Sequence, residues 1–280
     1  MDSLRIYIGK VRDIYKLGSD HLIMIATDRV SSFNKYIGVI PGKGELLNKM
    51  SEFWFNNTRE IIDNHLISTE GPVALVKRCI PYRIEVIVRG YITGNTETSL
   101  WTHYEAGERI YCGIEFPNGL VKNQKLPKPV ITPTTKTDSD EPISKEDIVE
   151  KGYMNQRECD FIFDKALKLF RFGQEIADEA GFILVDTKYE FGKTSDGDII
   201  LIDEVHTCDS SRYWIRDTYE QKMKDGEEPD KLDKDCVRDW VKTKCNPYEE
   251  KIPDIPDTII NKAYDNYKYF YDKITSIIYP

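Results

Sequence analysis

The sequence predicts a fold that combines β-sheet and α-helix in largely separate stretches of the chain. Before residue 95, most short apolar runs end in turn residues, a pattern typical of strands. Two later segments, 156–180 and 258–278, instead repeat apolar side chains at helical spacing. Because domains hold roughly 150 residues, this chain of 280 residues can form one large or two modest domains around a cleft.

The N-terminal elements can be assigned in order. The runs 21–28 and 36–44 are predicted strands, and the second leads into a Gly/Pro turn. Residues 45–66 place most of their apolar side chains at helical spacing. Residues 72–94 form two β-rich runs that are interrupted at Pro81, and this interruption is a natural hinge between two lobes.

The middle and the end of the chain contain one predicted loop and two predicted helices. Residues 117–142 are rich in Pro, Asn, Thr and Lys, which predicts a long loop, and loops of that length are often functional. The predicted core-facing side chains are Ile162, Ala166, Leu169, Phe170, Gly173, Ile176, Ala177 and Ala180 in the first helix, and Ile259, Ala263, Tyr267, Phe270, Ile274 and Ile278 in the second. We interpret the aromatic members as core packing rather than a cofactor site.

Composition limits the function classes. The net charge is −9 and the isoelectric point is near 5.2, whereas sequence-independent nucleic-acid binders carry a basic surplus. Any phosphate must therefore be held locally. No apolar run approaches the roughly 20 residues that span a bilayer, and the N-terminus lacks a signal-peptide core, so we expect a soluble cytoplasmic protein without a membrane partner. The six scattered cysteines are expected to be plain thiols.

The most informative segment is 183–214, where two β-rich runs flank Asp196-Gly197. That pair suits a two-residue type I′ turn, which would place Glu190 opposite Asp203. Asp186, Lys188 and Glu190 are spaced two apart, so they project from one face of the first strand.

Opposed carboxylates repel unless a cation lies between them, and oxygen ligands favour magnesium bridging to nucleotide phosphates. A solvated polar face, with Lys188 offsetting the charge, explains the same spacing equally well. The second strand is followed by Asp209-Ser210-Ser211-Arg212, whose hydroxyls and planar guanidinium suit a phosphate or carboxylate. A capped turn into a helix near Arg216 is an equally good explanation of these four residues.

The chain resembles the phosphoribosylaminoimidazole-succinocarboxamide synthase (SAICAR synthetase) family. The motifs that carry the resemblance follow in family order over most of the chain: GKVRDIY (9–15), ATDRVSSFN (26–34), IPGKGELL (40–47), IPYRIEVIVRGYITGN (80–95), GLVKNQKLP (119–127), ITPTTK (131–136), LVDTKYEFG (184–192) and DEVHTCDSSRYW (203–214).

The resemblance implies an α+β fold of two lobes with an ATP cleft between them, related to ATP-grasp proteins. We place a sheet-rich nucleotide-binding lobe in residues 1–80 and a larger α+β lobe, with the substrate and metal sites, in 81–280. The implied reaction joins L-aspartate to carboxyaminoimidazole ribotide (CAIR) with ATP, giving SAICAR, ADP and phosphate. An acyl phosphate is the expected intermediate, because a carboxylate is a poor electrophile for an amine.

The resemblance also implies site residues. The implied ATP-binding residues are Lys10, Arg12, Lys77, Glu85, Glu190 and Asp203, the last two also holding Mg²⁺. Asp186 and Lys188 are the implied catalytic residues, and the implied substrate-binding residues are Arg89, Asn95, Ser31, Ser32, Lys122, Asp209, Ser210 and Arg212. Without the resemblance, Lys10 and Arg12 could equally belong to a charged edge hairpin, and Lys77 with Glu85 to a strand salt bridge.

Three positions depart from the family pattern. Asn95 stands where Ser is usual, Asn34 where Asp is usual, and Cys208 where Pro is usual. These departures motivate an alternative, a catalytically silent nucleotide or ribotide sensor. A kinase-like phosphotransferase ranks below both, because the chain has no HRD-like catalytic loop.

Overall fold

Two large antiparallel sheets, two small two-stranded sheets and seven helices make up the described part of the chain. In this computed structural model the described part comprises residues 5–33, 35–96, 98–137, 140–232, 235–247 and 249–278. The strands are β1 Arg5–Ile8, β2 Arg12–Leu17, β3 His21–Ala26, β4 Arg29–Ser32, β5 Lys35–Val39, β6 Leu66–Glu70, β7 Val73–Lys77, β8 Ile80–Pro81, β9 Ile84–Tyr91, β10 Ile110–Tyr111, β11 Ile114–Glu115, β12 Lys125–Ile131, β13 Thr134–Thr135, β14 Phe182–Lys193, β15 Ile199–Ile202 and β16 Ser211–Ile215. The helices are α1 Lys43–Asn57, α2 Leu100–Glu105, α3 Lys145–Glu150, α4 Gln156–Glu179, α5 Arg216–Asp225, α6 Asp235–Lys244 and α7 Asp257–Ile278. None of the described helices is long and apolar enough to cross a membrane.

The first sheet has the order β1-β2-β3-β7-β6, so its strands all come from the N-terminal part of the chain. Helix α1 contacts β3, β6 and β7 and buries the side chains of Leu47, Met50 and Trp54. The helix predicted for residues 45–66 is confirmed, but it ends nine residues earlier than predicted, at Asn57. It ends at Asn57 because the side chains of Asn57 and Thr58 donate to the carbonyls one turn back, at 2.7 Å each.

The second sheet is built on two long central strands, β9 and β14, which pair antiparallel with Asp186 opposite Arg89. Strands β12 and β13 pair with β9, while β15, β16 and β8 pair with β14. Seven of the eight residues of β9 are buried, which explains the near-continuous apolar run in the sequence. The predicted interruption at Pro81 is real, since β8 ends there and β9 begins at Ile84.

The two predicted C-terminal helices are confirmed as α4 and α7. Helix α4 starts at a capping box in which Asn155 accepts from the Glu158 amide and the Glu158 side chain accepts from the Asn155 amide. The buried side chains of α7 are Ala263, Tyr267, Phe270 and Ile274, as the spacing indicated. Together with the sheets, these helices confirm the α+β fold class.

The prediction that residues 117–142 form only a loop is wrong. Strand β12 lies inside this segment and pairs with β9, followed by the short β13. Pro127 and Pro129 are tolerated because β12 is an edge strand whose register shifts between Lys125 and Val130, so the missing amides interrupt little of the ladder.

One hydrophobic cluster joins apolar residues of both sheets, including Val76 from the first and Val86 from the second. Helix α7 contributes Phe270 to the same cluster. The division into lobes at residues 80 and 81 therefore stays a prediction about domain organisation, since the packing is continuous across it.

Gly173 on α4 lies against a buried aromatic network, and Gly173→Ala is expected to lower the free energy of unfolding by about 1–3 kcal/mol. A Cβ at this position would overlap the imidazole of His206, which is fully buried against Trp54. Urea unfolding measures the change. Glu175→Ala, at an exposed position two residues along the same helix, should change stability by less than about 0.5 kcal/mol. Equal stability of Gly173→Ala and the wild type would show that His206 can move aside.

Candidate active site

Asp186 joins two arginines across three strands. It lies opposite Arg89 of β9 and opposite Arg212 of β16. One Asp186 carboxylate oxygen accepts hydrogen bonds from Arg89 at 3.1 Å and from Arg212 at 2.8 Å, and Arg89 also donates to the Thr132 hydroxyl at 2.8 Å. Asp186 and Arg89 are buried, so the shared carboxylate fixes the positions of both guanidinium groups.

Lys188 and Glu190 continue the same face of β14 beside a second acidic residue. The Lys188 ammonium lies 2.8 Å from the Glu85 carboxylate and 3.9 Å from that of Glu190. Lys136, next to β13, forms a further ion pair with Glu190. Burial disfavours the ammonium of Lys188, but the carboxylates of Glu85 and Glu190 outweigh burial and raise its pKa above the usual value.

The predicted hairpin register is wrong by one residue. Glu190 lies opposite Ile202, because Thr194 and Asp198 pair and leave a three-residue loop that ends in Gly197 with φ 93°. The carboxylate opposite Glu190 comes instead from the other neighbouring strand. Continuing the β9–β14 register places Glu85 there, and Lys188 lies between the two carboxylates.

Asp203 lies just beyond the end of β15 and pairs with Arg12. Strand β15 ends at Ile202, and Asp203 adopts a left-handed conformation with φ 67°. Arg12 donates to Asp203 at 3.3 Å and to Glu204 at 2.8 Å. Burial raises the pKa of Asp203; Arg12 opposes that rise, while repulsion from Glu190 and Glu204 adds to it. The carboxylates of Glu190 and Asp203 thus lie within electrostatic reach of each other.

The raised pKa of Asp203 predicts a pH-dependent stability. A carboxyl whose pKa is raised on folding contributes stability that is fully present below the ordinary pKa of about 4 and is lost as the pH rises through the raised value. We therefore expect the difference in unfolding free energy between the wild type and Asp203→Asn to shift in favour of the variant toward neutral pH. Urea unfolding of both proteins between pH 4 and 8 measures it. A difference that does not change with pH would contradict this assignment.

Residues 207–210 form a turn that leads into β16. The Thr207 hydroxyl accepts from the amides of Asp209 and Ser210 at 3.2 Å each, and the Ser211 hydroxyl lies 2.7 Å from that of Thr187. The Asp209 carboxylate contacts two helices. Its two oxygens lie 2.7 Å from the Lys43 ammonium and 2.6 Å from the Tyr267 hydroxyl.

A pocket opens beside Arg212. The residues that line it are Thr93, Gly94, Asn95, Thr96, Arg212, Trp214, Glu228, Lys231, Arg238, Asp239 and Lys242. Four of these side chains are cationic and two are anionic, so the pocket is locally basic in an acidic protein. Such a surplus suits a dianionic phosphate, which the sequence analysis expected to be held locally.

The other predicted residues lie on separate strands and turns. Lys122 pairs with Glu228 at 2.6 Å, on the wall of the pocket. Lys10 is exposed beside the β1–β2 turn, and Lys77 is exposed at the end of β7. Ser31 lies half-buried on β4, and Ser210 lies within the turn before β16. The Ser32 side chain and the whole of Asn34 lie outside the described residues.

Sequence analysis missed several residues of this region. Lys43 lies in the IPGKGELL motif and Lys136 in the ITPTTK motif. Their presence in motifs shared with the family was the signal that could have identified them. Glu204 directly follows Asp203 and was not singled out. Lys231, Arg238 and Lys242 lie on or before α6, for which no motif gave a signal.

Within the described residues, no group of three or more His, Cys, Asp or Glu side chains is arranged to hold a metal ion. Five cysteines are free thiols, namely Cys79, Cys112, Cys159, Cys208 and Cys245. These five agree with the expectation of plain thiols. The side chain of Cys236 is not described.

Comparisons with known proteins agree with the resemblance. The model of the SAICAR synthetase family matches residues 5–255. A chloroplastic phosphoribosylaminoimidazole-succinocarboxamide synthase of Arabidopsis thaliana is 52% identical over 270 residues, which are 95% of this chain and 66% of that protein. The enzyme of Legionella pneumophila strain Paris is 50% identical over 272 residues, covering 96% of this chain and 87% of that protein.

Solved structures show the same relationship. The SAICAR synthase of Saccharomyces cerevisiae in complex with SAICAR is 32% identical with a TM-score of 0.85, covering 97% of this chain and 94% of that one. A SAICAR synthetase in complex with ADP is 26% identical with a TM-score of 0.73, covering 96% and 97%. The chain therefore belongs to the SAICAR synthetase family of ligases.

Proposed function

We propose that this chain joins L-aspartate to CAIR in an ATP-dependent reaction of de novo purine biosynthesis, giving SAICAR, ADP and phosphate. The observation that carries the proposal is the arrangement on one face of β14, where the two arginines on Asp186 adjoin the lysines and carboxylates around Glu190. The end of this face with the two arginines suits an anionic ribotide, and the end around Glu190 suits a nucleotide. The related structures contain SAICAR in one case and ADP in the other.

The chemistry requires activation of the ribotide carboxylate. A carboxylate oxygen attacks the γ-phosphorus of ATP, the bond to ADP breaks, and an acyl phosphate forms. The aspartate amine then attacks the acyl carbon, phosphate leaves, and the nitrogen loses a proton. No protein nucleophile is needed, so the enzyme acts by positioning and electrostatic stabilisation.

The nucleotide end would use the groups around Glu190. Arg12 and Lys188 stabilise the negative charge that moves with the phosphoryl group, and Lys10 covers the phosphates from the β1–β2 turn. Lys77 and Glu85 lie toward the adenosine side in this assignment.

Magnesium would be held by Glu190 and Asp203 together with nucleotide phosphates, an arrangement that Mg²⁺ commonly adopts with only one or two carboxylates. The two carboxylates fit this role because their repulsion, which contributes to the raised pKa of Asp203, is relieved by a divalent cation. When bound, the ion would neutralise phosphate charge. Arg12 and Lys188 would neutralise part of the same charge.

The ribotide end would use the arginines and the basic pocket. Arg89 and Arg212 bind the carboxylate or phosphate of CAIR, and Asp186 orients both guanidinium groups. Asn95 and Lys122 line or border the pocket. Ser31 and Ser32 on β4 and Ser210 in the turn before β16 are assigned to the substrates by family likeness. The predicted substrate role of Asp209 is not kept, because its carboxylate contacts Lys43 and Tyr267.

The test is ADP release and direct detection of SAICAR, with Mg-ATP and CAIR, in the presence and absence of L-aspartate. Aspartate-dependent ADP and SAICAR in equal amounts are the expected result. Binding of ATP and CAIR without product would instead favour the silent sensor, and Asn95→Ser would then be the first reversion to make. ADP release that does not need aspartate would favour a phosphotransferase.

We further propose a cytoplasmic location for the enzyme. The five free thiols among the described cysteines support it, since reducing compartments keep cysteines in that state. Imaging of the tagged full chain in its host tests it, and an organellar signal would contradict it.

A further inference from the structure

We infer that Lys43 is a positioning residue for the ribotide site. It acts through Asp209 on the turn before β16, and Tyr267 of α7 supports the same carboxylate. The inference rests on the proposed function in one respect, that this turn and Arg212 bind the ribotide. Lys43 was not among the predicted site residues, and its side chain contacts Asp209 of the turn.

The first observation is burial. The side chain of Lys43 is 0% exposed and that of Asp209 is 5% exposed, and their charged atoms are 2.7 Å apart. A buried ammonium is tolerated only when it is paired and hydrogen-bonded, and Lys43 also donates to the Arg29 carbonyl at 3.1 Å. Removal of either charge therefore breaks a buried ion pair.

The second observation is that Asp209 faces the protein rather than the pocket. Lys43 of α1 contacts one carboxylate oxygen, and the Tyr267 hydroxyl of α7 donates to the other at 2.6 Å. Tyr267 is itself 1% exposed. Asp209 was predicted to bind substrate, but the contacts give it a different task, which is to hold the turn against two helices.

The third observation is that both ends of this connection are rigid. Asp28 accepts from the amides of Gly42 and Gly44 at 3.1 and 2.9 Å, which fixes the start of α1 where Lys43 stands. On the other side only two residues separate Asp209 from Arg212, whose guanidinium is 2.8 Å from Asp186. A shift of Asp209 would therefore move the group that faces the pocket.

The experiment is calorimetric binding of CAIR and of ATP to the folded wild type, to Lys43→Met and to Tyr267→Phe. Met keeps much of the buried stem and removes the charge. We expect the Kd of CAIR to rise at least about tenfold in Lys43→Met and about threefold in Tyr267→Phe, with the Kd of ATP within twofold, because a small misplacement of a binding group has large effects. The selective loss distinguishes positioning from general destabilisation.

Two further variants sharpen the test. Lys165→Met is a matched control, because Lys165 on α4 also donates to a backbone carbonyl, that of Ile61, but has no part in the turn. Its CAIR affinity should stay within about twofold of the wild type. If Lys43 acts through Asp209, the double variant Lys43→Met/Asp209→Asn should bind CAIR no more weakly than the weaker single variant.

The inference is overturned if Lys43→Met binds CAIR like the wild type. If Lys43→Met does not fold, the Kd of CAIR for Tyr267→Phe tests the inference instead, because that change removes one hydroxyl and keeps the ring. A wild-type Kd in Tyr267→Phe would then overturn the inference. A wild type that binds CAIR and ATP without forming SAICAR would contradict only the proposed function. A wild type that binds no CAIR would overturn both.

Discussion

Glu190→Gln is expected to lower kcat by at least about 100-fold while the protein stays folded. Glutamine keeps the shape of the side chain but removes the negative charge that Lys188 and Lys136 now face and that a divalent cation would need. Asp203→Asn should have an effect of the same order. SAICAR formation at saturating Mg-ATP, CAIR and aspartate measures kcat, and circular dichroism verifies the fold.

Glu158→Gln is the matched control for this loss. Glu158 also pairs with a lysine, Lys193 at 2.8 Å, and is similarly enclosed, but it lies at the start of α4. Glutamine can still accept from the Asn155 amide in the capping box, so Glu158→Gln removes only the charge that Lys193 faces and should leave kcat within about twofold. Near-normal turnover in both Glu190→Gln and Asp203→Asn would refute the metal assignment and leave the cluster around Lys188 as a structural ion-pair network.

Local sequence patterns predicted the helices and strand faces that can be identified from the spacing of residues within a single segment. Helices α4 and α7 show their apolar spacing within one segment, and their buried faces were predicted almost residue by residue. The alternation of Asp186, Lys188 and Glu190 likewise placed three polar side chains on one face of β14 before any partner strand was known.

Turn geometry was harder to predict because one sequence suits two loops. Asp196-Gly197 fits a two-residue type I′ turn, but Gly197 also fits the left-handed position of a three-residue loop, which the chain adopts. That choice changed the partner of Glu190 from Asp203 to Ile202. The opposed carboxylate, Glu85, comes from a strand about a hundred residues earlier, and periodicity within a segment carries no information on such pairings.

The same limit explains the residues that the sequence analysis missed. Lys43 is a helix residue whose partner Asp209 is far along the chain, and local pattern alone would make it a solvated lysine. Lys136 reaches Glu190 because β13 pairs with β9, inside a segment that was predicted to be a loop. The family motifs carried both lysines, so the resemblance contained more of the site than the periodicity did.

Arg212→Gln is expected to raise the KM for CAIR by roughly 10- to 100-fold, because a hydrogen bond to a charged group contributes about 1.5–3 kcal/mol. Arg212 lines the basic pocket and shares Asp186 with Arg89, so its loss removes a cation and leaves Asp186 with one arginine.

Steady-state kinetics with CAIR varied, and then with ATP varied, measures the effect of Arg212→Gln. The KM for ATP should stay within about threefold, since the nucleotide end uses other residues. Arg216→Gln provides the control, because Arg216 begins α5 four residues later, is 43% exposed and pairs with Asp178 rather than with the pocket. Equal increases in both KM values would show that Arg212 supports the fold of the turn. An unchanged KM for CAIR would remove Arg212 from the ribotide site and leave Arg89, with the lysines of the pocket, as the groups that bind the anion.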